Sequence, residues 1–438
     1  MNKIITRFPP SPTGSLHIGN IRTLLFNYLF TRHNEGEIVM RFEDTDLERS
    51  DQKHEEVALN ALASLGLDFD SGPFRQSERT EKYIAALNTL IENGNAYVAE
   101  ESEGEPGKNV IRFKNPNKEL TFTDLIRGEI TIDTTDFGDF VIARSADNPI
   151  YHLTVVVDDM EGEITHVIRG EDHITSTPRQ ILLIDALGGE APQYAHLPLI
   201  VGSDKKKLGK RHGAVTYQEF KDLGYIPAGI LNYLALLGWN PGDEREFFTK
   251  DELIGEFSIE RVNNSPAMFS YEKLDSINKH HLLELPMEEY TSTVKEFLQN
   301  EKIENHPNFA LLIEGVIRER LHKFSEVIEM NKTGEFDWLL NAPAINPEDL
   351  KWKDSPAETT KGHLQYTAKT LLEASKWDPT SIKEEIWPYA DENGRGDVLG
   401  PLRFALSGAK RSPDPFMLAA ILGKEETVSR LKTAVDLL

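Results

Sequence analysis

Cysteine is absent from all 438 residues. That absence removes disulfides, thiolate nucleophiles and every cysteine-based zinc site, so no zinc is expected and any metal would have to be held by oxygen or imidazole. The amino end, MNKIITRF, lacks the apolar core of a secretory signal, and no apolar run is long enough to span a bilayer. We therefore expect a cytoplasmic protein with no membrane partner. Internal repeats and low-complexity tracts are missing as well. Positive charge is scarce: 48 Lys and Arg stand against 72 Asp and Glu, a formal net charge of −24. On its face this argues against a polyanionic partner. Charge is local, however, and KKKLGKR at 205–211 places five cations in seven residues.

What is present is globular material, 39% hydrophobic and 27% charged, in a chain longer than one core supports; roughly two to four domains are expected. Residues 3–8 read as a strand, 9–19 as a loop and 20–33 as a helix with apolar Ile21, Leu24, Leu25, Tyr28 and Leu29, stopping near Asn34 and Gly36. EIVMRFED supplies a strand, Ser50 or Asp51 caps a helix through Gly66, and 80–93 reads as another helix. This β-α-β-α order implies a parallel sheet covered by helices. After Gly94 the order breaks: ESEGEPGK reads as a loop, and NVIRFK, EITIDT and DFVIARS as short strands. Strand-helix order then returns, with YHLTVVVDD, THVIRGED and HLPLIVG as strands and Thr177-Pro178 opening a helix through Leu187. From about Tyr217 helices dominate, including 228–237, 308–324 and 415–438. The predicted fold class is α/β: a Rossmann-like, doubly wound parallel sheet with a small α+β insert, followed by mainly helical domains.

The loop in RFPPSPTGSLHIGN holds three prolines, two glycines and one histidine. In a doubly wound sheet ligands sit where a strand's carboxyl end meets the next helix. Helix N–H groups and the dipole there favour phosphate, glycines let the backbone approach it, and His17 adds a donor that can be cationic. The segment reads equally as a strand-to-helix connection with a surface histidine.

The residues themselves go further than their spacing. Arg-Phe-Pro-Pro-Ser-Pro-Thr-Gly followed by His17-Ile18-Gly19 resembles the first signature of class I aminoacyl-tRNA synthetases, specifically the glutamyl branch. The resemblance continues through MRFEDTDLERS, YHLTVVVDD, HVIRGEDH, AHLPLIVGSDKKKLGKRHGAV, LNYLALLGW, RVNNSPAMF and GPLRFALSGAKRSPDPFMLAAILGKEE, nearly to the carboxyl end. It implies a ligase that activates L-glutamate with ATP and Mg2+, through a glutamyl-adenylate, and transfers it to the 3′ end of tRNA, working as a monomer. It also implies roles. His17, Lys207 and Lys210 would be catalytic, stabilising phosphate charge as pyrophosphate leaves. Ser11, Thr13, Gly14, Gly19, Asn20, Leu208 and Arg211 would join them around ATP. Arg7 and Arg169 would take the substrate carboxylates and Glu43 its ammonium, with Pro9, Ser11 and Tyr151 beside them. No side-chain metal site is implied. Three positions depart from the family pattern: Asn20 stands where a second histidine is common, Gly209 where serine is usual, and Val155 where some members carry asparagine.

For tRNA, the resemblance assigns 1–93 and 149–222 to the catalytic domain, 94–148 to an acceptor-end insert, 223–300 to stem contact and 301–438 to a helical anticodon-binding region. Candidate contacts are Asp44, Arg318, Arg320, Arg403 and Arg411, with Lys323 and Lys410 in the same basic clusters. Two other readings stay open. A glutaminyl relative shares Arg-Phe-Pro-Pro, but Ser-Pro-Thr-Gly follows here rather than Glu-Pro-Asn-Gly. A tRNA-binding paralogue with impaired catalysis is suggested only by Gly209. The sequence does not tell a glutamate tRNA from a glutamine tRNA as the acceptor.

Overall fold

Strand β1 (Ile5–Phe8) pairs in parallel with β2 (Glu37–Phe42), and β2 with β3 (Ser71–Arg75). The computed structural model that shows this describes residues 3–46, 50–100, 109–213, 215–299, 301–409 and 411–438, with the backbone alone at 210 and 301. The expected loop at 101–108 lies outside the described residues. Helix α1 (Ile18–His33) joins β1 to β2 and is buried on nearly every side, through Ile21, Leu24, Leu25, Phe26 and Leu29. A helix apolar all round belongs inside a core, and this one is packed as such. Helix α2 (Gln52–Leu65) starts at Asp51, whose carboxylate accepts the Lys53 N–H, and stops at Gly66 in the left-handed conformation, φ 64°. Helix α3 is Thr80–Glu92.

Beyond α3 the chain makes β4 (Ala96–Glu100), β5 (Asn109–Phe113), β8 (Phe140–Ser145) and β9 (Asn148–Pro149), an antiparallel sheet in the order β4-β5-β8-β9. Strands β6 (Glu119–Asp124) and β7 (Gly128–Asp133) leave it and form a hairpin. That hairpin joins β10 (His166–Gly170) and β11 (Gln193–Leu197), because Asp124 of β6 registers with Tyr194 of β11. Strand β10 lies alongside β1, where the Thr165 N–H donates to Ile5 O at 3.0 Å and the Ile5 N–H to Thr165 Oγ1 at 2.8 Å.

One expected strand is a helix. YHLTVVVDD folds as α4 (Tyr151–Glu161), with Leu153, Val155, Val156 and Val157 all buried. Valine costs a helix only about half a kcal/mol relative to alanine, less than burying its side chain contributes. HLPLIVG is two strands, since Pro198 offers no N–H between β11 and β12 (Ile200–Val201); β12 pairs with β13 (Ala267–Met268). Helix α5 is Thr177–Ala186. The expected helix at 308–324 is α-helical only over Phe309–Leu312, becomes a π segment over Ile313–Ile317 and then turns. Gly423, at φ 81°, divides 415–438 into Pro415–Leu422 and Lys424–Leu437.

The chain divides into two compact units, Met1–His280 and His281–Leu438. The second is helical, and Leu364, Leu371, Ile382, Ile386, Leu402 and Leu431 are fully buried in it.

Candidate active site

The carboxyl ends of β1, β2 and β10 and the last turns of α4 gather a set of buried charges. Arg7, on β1, is 2% exposed and its Nε lies 3.4 Å from Asp159 of α4. Arg41, on β2, donates to Asp159 at 2.6 Å and to Glu43 at 3.2 Å, and lies 3.8 Å from Asp158. Burial opposes its charge, but Asp159, Glu43 and Asp158 together raise its pKa. Asp158 in turn accepts from Gln76, Arg79 and Tyr83. Burial pushes the Glu43 carboxyl up, with Arg41 and Arg7 acting against it.

Arg169, on β10, is 6% exposed. Its Nε donates to His196 Nε2 at 3.2 Å, Nη1 to Gln180 Oε1 at 2.8 Å and Nη2 to Thr177 Oγ1 at 2.8 Å. A guanidinium has five N–H bonds; one remains on each terminal nitrogen. Tyr151, at the start of α4, contacts His173 Nδ1 through its hydroxyl at 3.2 Å. Its pKa is raised by burial, then by Glu43, against Arg169 and Arg7. The structure thus brings Arg7, Glu43, Tyr151 and Arg169 within electrostatic reach of one another.

The second group is built on α1. His17 caps that helix, and its Nδ1 accepts the Gly19 N–H at 3.2 Å. Its pKa is lowered by burial and then by Lys207. With Nδ1 an acceptor and the ring neutral, the proton sits on Nε2, so His17 presents a neutral N–H donor rather than a cation. The first-turn N–H groups are also less free than the sequence implies. Ile18 donates to Val215 O at 2.8 Å and Asn20 to His17 O at 2.8 Å. The Ile18–Val215 bond and the Tyr217 N–H to Leu16 O bond at 3.1 Å bring the segment after KKKLGKR against the first loop. Lys207 lies 3.3 Å from Asp172, next to His173, which connects the two groups. Leu208 is a core side chain, 6% exposed, and its N–H is bonded to Ile200 O, so only its backbone carbonyl side can face a ligand. Arg211 is exposed beside Asp204 at 3.4 Å. The side chain of Lys210 lies outside the described residues. Ser11, Thr13 and Asn20 are exposed, Pro9 is half-buried, and a Cβ added at Gly14 would meet nothing within 4 Å.

Comparison with known proteins shows the family of the chain. The description "tRNA synthetases class I (E and Q), catalytic domain" matches residues 3–105 and 99–276, and "Anticodon binding domain" matches 289–435. The chain belongs to the class I tRNA synthetases of the E and Q type. It is 38% identical to a glutamate–tRNA ligase of Sulfurihydrogenibium sp., covering 98% of both chains, and 37% identical to glutamate–tRNA ligase 1 of Alkalilimnicola ehrlichii, covering 100% of this chain and 98% of that one. Its structure is similar to that of a glutamate tRNA ligase from Elizabethkingia meningosepticum solved in complex with its amino acid, with TM-score 0.87, 30% identity and full coverage of both chains.

Within this class I synthetase the expected tRNA contacts scatter. Asp44 is 6% exposed, and its carboxylate accepts the Ser77 N–H at 2.8 Å and hydroxyl at 2.5 Å; it is an internal tie, not a surface group. Arg318 donates to Leu283 O at 2.5 Å and Leu285 O at 2.9 Å, stacking on Tyr290, and so caps the end of the helix Tyr271–Glu284. Arg320, paired with Glu335 at 2.7 Å, and Arg411 line a cleft of about 820 Å³ with Trp338 and Pro413. Arg403 is half-buried on Arg395–Ser407, and Lys410 lies outside the described residues. Sequence reasoning passed over Arg41, Asp159, His196 and Asp124; MRFED, YHLTVVVDD and AHLPLI contain three of them, but their partners are distant in the chain.

Proposed function

We propose that this chain joins L-glutamate to tRNA at the expense of ATP. The glutamate α-carboxylate attacks the α-phosphorus of ATP and expels pyrophosphate; a terminal hydroxyl of the tRNA then attacks the carbonyl carbon of the adenylate and releases AMP. The observation that carries this reading is the pair of buried arginines, Arg7 and Arg169, which lie within electrostatic reach of each other and, with Glu43, of Tyr151. A dicarboxylic amino acid supplies two carboxylates for the arginines and an ammonium for Glu43. Glutamine would turn amide N–H groups toward guanidinium N–H groups and leave both unpaired, a loss of about 1–3 kcal/mol or more per group.

His17 Nε2 and Lys207 donate to the ATP phosphates, with Lys210 and Arg211 entering by family resemblance. Among the described residues nothing packs where a Gly14 side chain would stand, which fits a glycine required by a ligand's approach. No group of three or more His, Asp or Glu side chains among the described residues could hold a metal ion, so we assign Mg2+ to the phosphates of ATP. The segment 94–148 would meet the tRNA acceptor end and 223–300 its stem, and the cleft of Arg320 and Arg411 would take anticodon nucleotides.

Charging with labelled glutamate, on separate glutamate and glutamine tRNAs and with glutamine as competitor, tests the reading. Labelled glutamate should reach tRNA and glutamine should not compete; uptake of glutamine in its place overturns the assignment. Lys210→Ala should lose at least about 10² in charging rate while tRNA binding persists. Unchanged turnover would remove Lys210 from the mechanism.

A further inference from the structure

Behind Arg169 stands a chain of buried groups that the reaction does not use. His196 is 0% and Asp124 1% exposed. His196 Nδ1 lies 2.6 Å from Asp124 Oδ2, and its backbone N–H donates to the same oxygen at 3.0 Å. Asp124 Oδ1 accepts the N–H groups of Ile126 at 3.0 Å and Arg127 at 2.9 Å. Four donors on one carboxylate leave it fixed in position and ionised. At the other end of the imidazole, Nε2 lies 3.1 Å from Thr177 Oγ1, whose hydroxyl can donate to it, and Arg169 Nε–H points at it at 3.2 Å. An arginine can only donate, so Nε2 must be bare and the proton must sit on Nδ1, facing Asp124. Burial, the largest influence on the His196 pKa, lowers it and keeps the ring neutral.

The fold explains how these residues meet. Asp124 ends β6, in the hairpin that leaves the antiparallel sheet to join β11, and His196 is on β11 beside Arg169 on β10. The hairpin turn is held there by Leu125 N–H on Tyr194 O at 2.8 Å and by the ion pair of Arg127 with Glu171. Thr177 and Gln180 of α5 take two further N–H groups of Arg169. Three sides of the guanidinium are thus determined before substrate arrives.

We propose that Asp124 and His196 are a positioning pair for glutamate: Asp124 fixes the imidazole tautomer, the bare Nε2 accepts from Arg169 Nε, and the two unspent N–H bonds of Arg169 are aimed at a substrate carboxylate. The proposal rests on the reading that Arg169 touches glutamate. Neither residue of the pair contacts substrate. Because a carboxylate held in this way is gripped in ground and transition states alike, losing the pair raises KM rather than lowering kcat.

Steady-state charging of a glutamate tRNA by the full chain tests this. In Asp124→Asn the amide can donate to Nδ1 and move the ring proton to Nε2, against the Arg169 N–H. Its KM for glutamate should rise at least about tenfold, with kcat within about threefold and the KM for ATP unchanged. His196→Gln keeps an acceptor near the Nε2 position and should stay within about threefold of the parent, whereas His196→Phe should match Asp124→Asn. Arg169→Lys is the control for the underlying reading. A raised glutamate KM in Arg169→Lys beside an unchanged one in folded Asp124→Asn overturns the pair alone. No change in either overturns the reading and the pair together. Equal rises in the KM for glutamate and ATP mark general loosening and also overturn the pair. Should Asp124→Asn not fold, the comparison of His196→Gln with His196→Phe decides, and equal values there refute the proposal.

Discussion

At the scale of single residues, the site is an exercise in burying charge without leaving it alone. Arg41 is 4% exposed and serves Asp159 and Glu43 at once. Replacing it with an apolar side chain would strand a buried carboxylate, which costs about 3–5 kcal/mol. Arg41→Met is therefore expected to lose stability of that order in urea unfolding, and a loss under about 1 kcal/mol would mean that the network carries little. His152 poses the opposite problem. Its Nδ1 is buried with no partner, and burial, then Arg179 and Arg169, push its pKa down to about 4. Below the ordinary value of about 6.5 the unfolded chain takes up a proton that the folded chain refuses, so stability falls as pH drops from about 6.5 to about 4, by as much as about 3 kcal/mol. His152→Phe should flatten that decline in melting midpoints measured between pH 7 and pH 5. An equally steep decline in the variant would assign it to other groups, His173 foremost, which is also pushed down to about 4.

At the scale of elements, what was legible depended on whether local signals and tertiary burial agreed. Strand β1, its loop and α1 could be read because Pro9, Pro10, Pro12 and Gly14 punctuate the chain and α1 repeats apolar residues at helical spacing. Helix α4 could not, since a run of leucine, threonine and three valines fits a buried strand as well as a buried helix. The same limit hid the charge network: Arg41 was visible as an arginine within a strand, but its partner Asp159 is 118 residues away. Likewise His196 gains its meaning only when β6 crosses to β11. The loop of Lys207 and Gly209 offers a test at this scale. Among the described residues a Cβ at Gly209 would approach nothing closer than Lys207 O at 4.0 Å, and the position needs no left-handed backbone. Gly209→Ser, which restores the residue usual in the family, should fit without strain and gain about 0.4–1 kcal/mol by restricting the unfolded loop. The expected outcome is an unchanged or higher melting midpoint and a lower KM for ATP. A higher KM would show that this chain depends on glycine's freedom for loop closure.

At the scale of the whole molecule, the question is how a chain of net charge −24 holds a polyanion. Counterion release makes every phosphate contact salt-sensitive, and the rest of the acidic surface repels, so binding must rest on few, well-placed cations. In the unit His281–Leu438 we propose for this Arg320, paired with Glu335 at 2.7 Å, and Arg411, which line the cleft of about 820 Å³, while Arg318 donates to the carbonyls of Leu283 and Leu285. Arg320→Gln with Arg411→Gln should raise the KM for tRNA by about tenfold or more, with the KM values for glutamate and ATP within about twofold. If the two arginines meet phosphates, the slope of log KM against log salt should become shallower by about one for each phosphate that is no longer neutralised. If they meet base edges, the slope should hold while discrimination among anticodon variants weakens. A double variant with the parent's tRNA KM, salt slope and anticodon preference would place the anticodon elsewhere on the helical unit.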